Sequence, residues 1–414
     1  MLTSASAIPR VPAFDSSLAL WREGYLFVSN RCNTLATDAF RTRIMMREVV
    51  CMRGPAAAEQ FYRPGRFTRR GAIPRTALAL LQDWGSVQTL DGEAHRHRKQ
   101  MFMDMMDAAG IGRAISIFRA EWQAALARSP RRVRLHDLAR EALARMAIVW
   151  TGLPLERADP KRRTAELSAM IEGAGGFGPG HLRARLMRRR SERWARQMIE
   201  QIRNGKLSVG ADSPAARIAD HRDLTGAQLP SEVAAVELIN LLRPLVAVAR
   251  FIAFAGHALQ VHRNAVEHLA PGLPDADMEA FVQEVRRYYP FFPMIGGRVL
   301  QPFSWSGHSF AGGDWVLLDL YGTNHHPEAW QEADRFDPQR FRGWQGDAYS
   351  LIPQGGGGFI AGHRCPGEWL TIALMIEASR RLLAASYTVP EQDLTIPMNR
   401  FPALPVSGFV IELA

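Results

Sequence analysis

The sequence predicts one mainly α-helical domain with a small β region, and three observations support this prediction. Long segments carry apolar residues at helical spacing, whereas segments with the alternation typical of strands are few and short. Glycine and proline are scattered along the chain of 414 residues, without a linker or an internal repeat. Hydrophobic residues make up 47% of the composition, which is enough for one large core. We therefore expect a single domain over residues 1–414.

The apolar periodicity places the helices, and the alternation places the strands. Helices are predicted over residues 92–109, 113–127, 136–152, 183–203, 231–260, 276–288 and 366–386. The strands are expected late in the sequence: residues 298–320 have the pattern of a hairpin, and residues 408–413 that of a closing strand. Long helices of this kind suit a cofactor buried between them, although periodicity alone does not demand one.

Charge limits the classes of partner only weakly. The net charge of +10 suits nucleic acid, an acidic protein, a membrane surface or an anionic small molecule. The densest basic segment, residues 181–197, is typical of a solvated helix face and also allows weak contact with a membrane surface. No nucleic-acid-binding motif accompanies the charge, so we expect no nucleic-acid partner.

The N-terminus and the cysteines indicate the compartment. The N-terminal segment lacks the basic and apolar parts of a secretory signal, and no run of about 18 uncharged apolar residues occurs. Cys32, Cys51 and Cys365 are odd in number and far apart, so they indicate neither a disulfide framework nor a zinc site. We expect a cytoplasmic protein in which Cys32 and Cys51 are small buried hydrophobic residues.

Cys365 has different surroundings from the other two cysteines. It lies in the glycine-rich stretch QGGGGFIAGHRCPGEW, residues 354–369, directly before Pro366 and a helical pattern. Peptide N–H groups at a helix start stabilise a thiolate, and the flanking His363 and Arg364 add cationic donors. Four glycines let the backbone pack close to something flat or bulky. A thiolate here could serve as a nucleophile or as an iron ligand, and a heme would explain both features.

The segment around Cys365 resembles the heme-binding loop of the cytochrome P-450 superfamily, in which the cysteine thiolate is the proximal ligand of the iron. The resemblance implies the cytochrome P-450 fold, with heme b buried between long helices. It also implies that Cys365 is the metal ligand.

Two further segments support the resemblance in the expected order. EVRR at residues 284–287 is similar to the E-x-x-R helix motif of that superfamily. FDPQRF at residues 336–341 is similar to F-x-P-E-R-F, with Gln replacing Glu. The resemblance implies that Glu284, Arg287 and Arg340 form a buried structural triad that braces the cysteine loop.

The spacing within the loop indicates one branch of the superfamily. Phe359 lies six residues and Gly362 three residues before the cysteine, each one residue closer than in the common superfamily pattern. Together with DLYGTNHHP at residues 319–327, this shift resembles the bacterial fatty-acid peroxygenase branch. The resemblance runs from about residue 10 to the C-terminus. It implies that the partners are a long-chain fatty acid and hydrogen peroxide, and that no reductase is required.

The long apolar helix 231–260 carries Arg243 and Pro244 where an oxygen-using monooxygenase has an acid or amide followed by threonine. From the residues alone, an ion pair between Arg243 and Glu237 or another carboxylate is favoured, because an unpaired buried charge is costly. Pro244 removes a backbone N–H and predicts a kink.

The resemblance implies a different partner for Arg243, namely the substrate carboxylate. That carboxylate would perform the acid–base step on hydrogen peroxide and confine hydroxylation to Cα or Cβ. Gln88 matches a position in the distal pocket that is Gln or His in this branch. A histidine there assists decarboxylation to a terminal alkene, so Gln88 favours hydroxylation. Without the resemblance, Gln88 would be interpreted as a solvated loop residue.

The remaining site residues are also assigned by the resemblance. Phe291 and Phe292 match positions in the substrate channel, with ordinary core aromatics as the alternative. Residues 173–180 are expected to form a loop over that channel, with Phe177 as a lid.

Four side chains are candidates for contacts with the heme propionates. His95 and Arg69 fit this role, and Arg298 and His363 are further candidates. The alternative for each of them is a surface cation.

Other functions remain open at this point. The same fold could act as a fatty acid decarboxylase, or as a conventional monooxygenase supplied by a reductase, although Arg243-Pro244 argues against the latter. A non-catalytic heme or fatty-acid binding protein, such as a sensor, would need an output module, and the sequence has no segment that suggests one.

Overall fold

The computed structural model describes residues 8–81, 85–176 and 178–414, apart from the side chains of residues 75–77. Helices dominate, and the strands form three small sheets. The helices are α1 Ser17–Glu23, α2 Phe27–Leu35, α3 Pro55–Tyr62, α4 Arg75–Leu81, α5 Gly92–Met105, α6 Ala108–Arg128, α7 Leu135–Trp150, α8 Leu155–Ala158, α9 Pro160–Glu172, α10 Pro179–Arg203, α11 Pro214–Asp220, α12 Ser231–Ala247, α13 Ala249–Val261, α14 Arg263–Val266, α15 Asp275–Tyr288, α16 Leu320–Asn324 and α17 Glu368–Ala384. Short 3-10 turns cover Gly24–Leu26, Val87–Thr89 and Pro338–Phe341.

The largest sheet has five strands in the order β1-β2-β8-β5-β3, all antiparallel neighbours except the parallel pair β2 and β8. A second sheet has the order β4-β10-β9, and β6 pairs with β7 alone. The strands are β1 Ala39–Ile44, β2 Arg47–Met52, β3 Phe67–Thr68, β4 Arg132–Arg134, β5 Met294–Val299, β6 Phe303–Trp305, β7 His308–Phe310, β8 Trp315–Asp319, β9 Tyr387–Thr388 and β10 Val410–Leu413.

The predicted fold class is confirmed, and the long predicted helices are present. The first of them is shorter than expected, because α5 ends at Met105 and Asp107 caps the next helix. The Asp107 carboxylate accepts a hydrogen bond from the backbone N–H of Gly110 at 2.7 Å, which satisfies one of the free donors at the start of α6. Asp107 therefore separates two helices that the apolar spacing alone predicts as nearly continuous.

The long apolar segment in the middle of the chain forms two helices rather than one. α12 contains Pro244 and ends at Ala247, and α13 begins at Ala249. By length and composition Ser231–Val261 could cross a membrane, but 89% of its most apolar window is buried inside the protein. The segment is therefore the central core of a large helical layer. Its burial explains why α12 is apolar on nearly all sides.

The strands predicted within residues 298–320 and 408–413 are present, but the expectation that strands lie only late was incomplete, because β1 and β2 form a hairpin near the N-terminus. Ile44 pairs with Arg47, so the turn consists of Met45 and Met46 alone. Both have positive φ, 52° and 62°, as a primed two-residue turn requires. Asn-Gly is the usual sequence at such a turn, and two methionines do not signal it. A search for the usual turn residues therefore does not predict this hairpin.

The turn geometry predicts the effect of a double substitution. Met45→Asn with Met46→Gly should raise the free energy of unfolding by about 1 kcal/mol, because these residues enter the left-handed region at lower cost. The measurement is chemical unfolding of the heme-loaded protein followed by circular dichroism. Met45→Ala with Met46→Ala is the matched control, since it removes the same side chains and keeps the backbone cost. Equal stabilisation by both variants would contradict the explanation.

Candidate active site

The cysteine loop lies immediately before α17 and depends on glycine. Gly355 and Gly357 have φ of 93° and 79°, a conformation that other residues adopt only with strain. A Cβ on Gly357 would also lie 2.8 Å from the Cβ of Tyr62. The backbone N–H of Cys365 donates to the carbonyl of Gln354 at 3.2 Å, which closes the loop. The glycines therefore let the loop fold tightly against α3 and present the Cys365 thiol.

A buried ion network on α15 and α17 holds this loop. Arg286, which is fully buried, donates to the carboxylate of Glu368 at 2.5 Å and to the side-chain oxygen of Gln354 at 3.1 Å. Arg364 pairs with the same carboxylate at 2.6 Å. The Gln354 amide nitrogen lies 3.8 Å from the Cys365 sulfur, within reach of a weak N–H···S hydrogen bond. Arg286 thus braces the thiol through a single intermediate side chain.

The E-x-x-R triad forms, but its hydrogen bonds reach residues 324–340 rather than the cysteine loop. Glu284 and Arg287 are both fully buried and form a two-pronged ion pair, with N···O distances of 2.6 and 2.8 Å. Arg340 lies 3.4 Å from the same carboxylate. Arg287 also donates to the carbonyls of Asn324 and Ala333, so the triad ties α15 to residues 324–340. The direct brace on the cysteine loop comes instead from Arg286, which the sequence analysis missed.

Lys99 is a second residue that the sequence analysis missed. From α5 it donates to the carbonyl oxygens of Gly362 and Arg364 at 2.6 and 2.8 Å, and also to that of Phe359. Burial is the main cause that lowers the pKa of Lys99 to about 8, and the nearby Cys365 opposes this shift. The Lys99 ammonium group therefore donates to three carbonyl oxygens of the loop and adds positive charge beside the thiol.

The surroundings of Cys365 determine its protonation. Burial raises the pKa of the thiol, while the backbone N–H of Gly367 and the charges of Lys99 and Arg286 lower it. Because burial dominates, the thiolate needs a further positive charge such as a metal ion. Among the described residues, no group of three or more His, Cys, Asp or Glu side chains could hold a metal ion. A single thiol suits an iron that is held mainly by a macrocycle.

A cluster of basic side chains lies beside the loop, and its chemistry indicates whether the site fits a heme. Arg69 and His95 are buried, and the His95 ring lies 4.0 Å from that of His363. Burial, Lys99 and Arg69 lower the pKa of His95 to about 4, and burial and the same cations hold the pKa of His363 well below its usual value. In the described part of the chain, no carboxylate lies within 4.0 Å of these four groups. Such a cluster lacks an anion, which the propionates of heme b would supply.

Arg298 does not join this cluster. On β5 the side chains of Ile295 and Val299 pack in one core cluster with Phe61, whereas Met294 packs on the opposite face. Arg298 follows Met294 by alternation, and its guanidinium lies 5.4 Å from the Trp315 ring centroid. The guanidinium of Arg69 lies instead over Phe61. Strand alternation therefore separates the two arginines.

Arg243 is buried on α12 and does not form the ion pair with Glu237 that the residues alone favoured. It donates to the carbonyls of Leu80 and Leu81 at the end of α4, and to the side-chain oxygen of Asn240 at 3.0 Å. All three acceptors are neutral, and no described carboxylate lies within 4.0 Å. Burial, followed by the charge of Arg188, lowers the pKa of Arg243 to about 9.

Glu237 has another partner. Its carboxylate accepts from Arg98 on α5 at 2.8 Å and from the backbone N–H of Val87 at 2.9 Å. It also accepts from Asn240 at 3.0 Å. Arg98 was missed by the sequence analysis because nothing in its local pattern distinguishes it from the other basic residues of α5. The Glu237 carboxylate is thus engaged away from Arg243.

Gln88 is joined to Arg243 through Asn240. The Asn240 amide donates to the Gln88 side-chain oxygen at 3.1 Å, while its own oxygen accepts from Arg243. Ser86 donates to the same Gln88 oxygen at 2.9 Å. No hydrogen bond from the Gln88 amide nitrogen to a described residue is formed. Gln88 therefore has a fixed oxygen, while its N–H groups find no acceptor in the part of the chain that the structure describes.

The two phenylalanines of the expected channel differ in burial. Phe291 stacks on Phe251 of α13 with ring centroids 4.1 Å apart, whereas Phe292 is largely exposed. The Tyr25 hydroxyl donates to the carbonyl of Phe291 at 2.8 Å. Of the expected loop over the channel, residues 173–176 and 178–180 are described and Phe177 lies outside the described residues.

Comparison with families of known proteins identifies a match in the C-terminal part of the chain. The model of the family Cytochrome P-450 matches residues 278–377, which include the E-x-x-R pair and the cysteine loop. The curated relatives match about a third of the chain. Cytochrome P-450 4A22 of Homo sapiens is 29% identical over 135 residues, 32% of this chain and 25% of its own length. Cytochrome P-450 4A7 of Oryctolagus cuniculus is 32% identical over 135 residues, again 32% of this chain and 26% of its own. This chain thus spans about a quarter of the length of these relatives.

Solved structures match nearly the whole chain. A variant of cytochrome P-450SP alpha (CYP152B1) is 44% identical, with a TM-score of 0.92, over 96% of this chain and 98% of its own. Cytochrome P-450EX alpha (CYP152N1), solved with myristic acid, is 39% identical, with a TM-score of 0.94 and 98% coverage of both chains. A variant of cytochrome P-450 OleT, solved with arachidonic acid, is 31% identical, with a TM-score of 0.94 and 98% coverage of both chains.

The loop geometry predicts that Cys365 alone supplies the thiolate. The reduced wild-type protein with carbon monoxide should show the long-wavelength Soret band of a thiolate-ligated heme, and Cys365→Ala should lose it. The measurement is the reduced carbon-monoxide difference spectrum. Cys51→Ala is the matched control, because it removes a buried thiol from the sheet region and should keep the band. A band that survives in Cys365→Ala would exclude this residue as the ligand.

Proposed function

This chain belongs to the CYP152 family of the cytochrome P-450 superfamily, and from that premise we propose that it is a peroxygenase that hydroxylates long-chain fatty acids at Cα or Cβ with hydrogen peroxide. Heme b, ligated by Cys365, supplies the redox chemistry when bound. The residues of the chain bind and orient the fatty acid and control the proton that hydrogen peroxide must give up.

A single observation carries the proposal: the buried guanidinium of Arg243 has only neutral oxygens as partners among the described residues. A buried charge without a counter-charge is costly, and the lowered pKa of Arg243 reflects that cost. A fatty acid carboxylate would offset the cost with charge-assisted hydrogen bonds. The neighbours solved with myristic and arachidonic acids support a carboxylic acid as the ligand.

The bound carboxylate has a second role in the proposal. Hydrogen peroxide loses a proton from one oxygen, and the departing oxygen gains one, so an acid–base group must lie within hydrogen-bond reach. The Glu237 carboxylate is already engaged with Arg98, and α12 contains no threonine. The substrate carboxylate, held by Arg243, is therefore the group that moves the proton.

Anchoring also determines which carbon reacts. A carboxylate fixed by Arg243 leaves only the first carbons of the chain within reach of the oxidising centre, which accounts for attack at Cα or Cβ. Because hydrogen peroxide supplies both oxygen and oxidising equivalents, no reductase is needed. Pro244 follows Arg243 directly and has no backbone N–H. It therefore removes one hydrogen-bond donor of α12 next to the residue that would bind the carboxylate.

The propionate contacts and the channel are also part of the proposal. Arg69, His95 and His363 would bind the propionates, since they form the basic cluster that lacks an anion. Phe291 and Phe292 would line the path of the acyl chain. We omit Arg298 from the propionate contacts because it lies on the other face of β5.

The decisive substitution is Arg243→Ala. Peroxide-driven fatty acid hydroxylation should fall by about 100-fold or more at saturating substrate, because binding and acid–base assistance are lost together. The measurement is product formation by mass spectrometry without a reductase. Arg190→Ala is the matched control, since this arginine is exposed on α10 and should leave the rate unchanged.

A short carboxylic acid gives a complementary arm of this test. In the wild type it should occupy the Arg243 site and start peroxide-dependent oxidation of a non-acidic aromatic compound, whereas in Arg243→Ala it should not. Hydroxylation at the wild-type rate in Arg243→Ala, or equal oxidation of the aromatic compound without the short acid, would contradict the proposal.

Gln88 should influence the choice between hydroxylation and decarboxylation. Gln88→His should raise the ratio of terminal alkene to hydroxy acid, because an imidazole can exchange a proton near the carboxylate where the amide cannot. Product ratios from a single fatty acid provide the measurement, and Gln88→Asn is the control that keeps an amide. An unchanged ratio in an active Gln88→His variant would remove this residue from the control of product partitioning.

A further inference from the structure

An exposed apolar surface lies near the N-terminus, far in sequence from the cysteine loop. Phe14, Leu18 and Trp21 come from α1 and the segment before it, and Met45 and Met46 form the tip of the β1–β2 hairpin. These five side chains are between 48% and 73% exposed. We call them the N-terminal patch. Single exposed apolar residues are ordinary, but a contiguous group of large ones marks an interaction site.

Hydrogen bonds show that the two parts of the N-terminal patch are adjacent. The backbone N–H of Met45 donates to the Ser17 hydroxyl, and that of Met46 donates to the Asp15 carboxylate, both at 2.7 Å. The hairpin tip is therefore fastened to the segment that carries Phe14 and Leu18. Hydrogen bonds from the Ser17 side chain and from the backbone N–H of Met46 lower the pKa of the Asp15 carboxyl, so its charge is one that the arginines of the rim must outnumber.

The backbone at the tip is a second, independent observation. Met45 and Met46 both adopt positive φ, where Asn or Gly would be far less strained. The Met45 and Met46 side chains point to the surface, so they do not pack in the core. As large residues they also do not favour the turn. Strain retained at an exposed position indicates a function for the side chains themselves.

The charges around the N-terminal patch indicate the kind of surface that it contacts. Arg22 and Arg47 are exposed, and neither forms an ion pair with a described carboxylate. Arg10 and Arg43 share the single carboxylate of Glu48, each at 2.7 Å. The rim therefore has an excess of arginine around an apolar centre that contains tryptophan. This combination suits an anionic lipid surface, where the rings enter the headgroup region and the arginines meet phosphate.

The position of the N-terminal patch relates it to the fatty acid path of the proposed function. The short turn that follows α1 carries Tyr25, whose hydroxyl donates to the carbonyl of Phe291 at 2.8 Å. Tyr25 also contacts Phe401, with ring centroids 5.1 Å apart, and Phe401 packs against Gly175 of the loop after α9. The turn that follows α1 thus contacts Phe291 directly and reaches the loop after α9 through Phe401.

We propose that the N-terminal patch docks the protein on an anionic phospholipid bilayer, the medium in which long-chain fatty acids accumulate. The contact is peripheral and reversible, since five side chains and a basic rim provide far less binding than a membrane-spanning helix. It goes beyond the proposed activity. Docking is measured without turnover, so its failure and the failure of the peroxygenase proposal are distinguishable.

The test is cosedimentation of the heme-loaded protein with vesicles of phosphatidylglycerol and phosphatidylcholine, against vesicles of phosphatidylcholine alone. The wild type should bind the anionic vesicles and lose most of this binding at high salt. The variant Trp21→Ser, Met45→Asn, Met46→Gly should reduce the partition coefficient by about tenfold or more, because it removes three of the apolar side chains. Its heme spectrum and its turnover of a short, soluble fatty acid should be unchanged.

A matched control uses two exposed leucines elsewhere. Leu182→Gln with Leu186→Gln removes exposed apolar side chains from the basic helix α10 and should leave vesicle binding intact. Wild-type protein that does not bind anionic vesicles overturns the proposal, as does a variant of the N-terminal patch that binds like wild type. Loss of binding only in the α10 variant would assign docking to α10 instead. A dimer in sedimentation that dissociates in the patch variant, without vesicle binding, would identify a second copy as the partner.

Discussion

The site depends on one electrostatic constraint: Arg243 is buried, and no described carboxylate lies within 4.0 Å of its guanidinium. Neighbouring side chains maintain this condition. Glu237 lies one helical turn and a half before Arg243, but Arg98 and the backbone of Val87 engage its carboxylate. Among the described residues, Arg243 donates only to carbonyl and amide oxygens. These acceptors orient the guanidinium but carry no charge that would balance it. A fatty acid headgroup is the ligand that such a site stabilises most, since it brings the missing charge.

The ion network that holds the cysteine loop follows the opposite rule, because the Glu368 carboxylate is paired inside the protein. Glu368 lies between Arg286 and Arg364, and this network positions Gln354 against the Cys365 sulfur. Lys99 then fastens the loop from α5. This paired network holds the loop that would present the Cys365 thiolate to iron, whereas Arg243 would gain its counter-charge only from the proposed substrate. Helix α5 serves both sides, since Lys99 contacts the loop and Arg98 contacts α12.

Sequence reasoning succeeded where a residue's role follows from its neighbours in the chain. The glycine loop, the helix after it and the long apolar helices are local patterns, so the loop that carries Cys365 and the fold class could be predicted. It failed where the role depends on a distant partner. Lys99, Arg98 and Arg286 resemble many other basic residues until the fold brings carbonyls or carboxylates to them. The Met45–Met46 turn was missed for a related reason, since its conformation is imposed by the hairpin and opposed by its residues.

The central claim is that Arg243 recognises a carboxylate, and equilibrium binding tests it most directly. The affinities of the heme-loaded protein for a fatty acid and for the fatty alcohol of equal length are compared by calorimetry, in wild type and in Arg243→Leu. We expect the wild type to prefer the acid by about tenfold or more, because only the acid brings a charge, and the variant to lose that preference. Equal affinity of the wild type for acid and alcohol would contradict the account, as would an undiminished preference in Arg243→Leu.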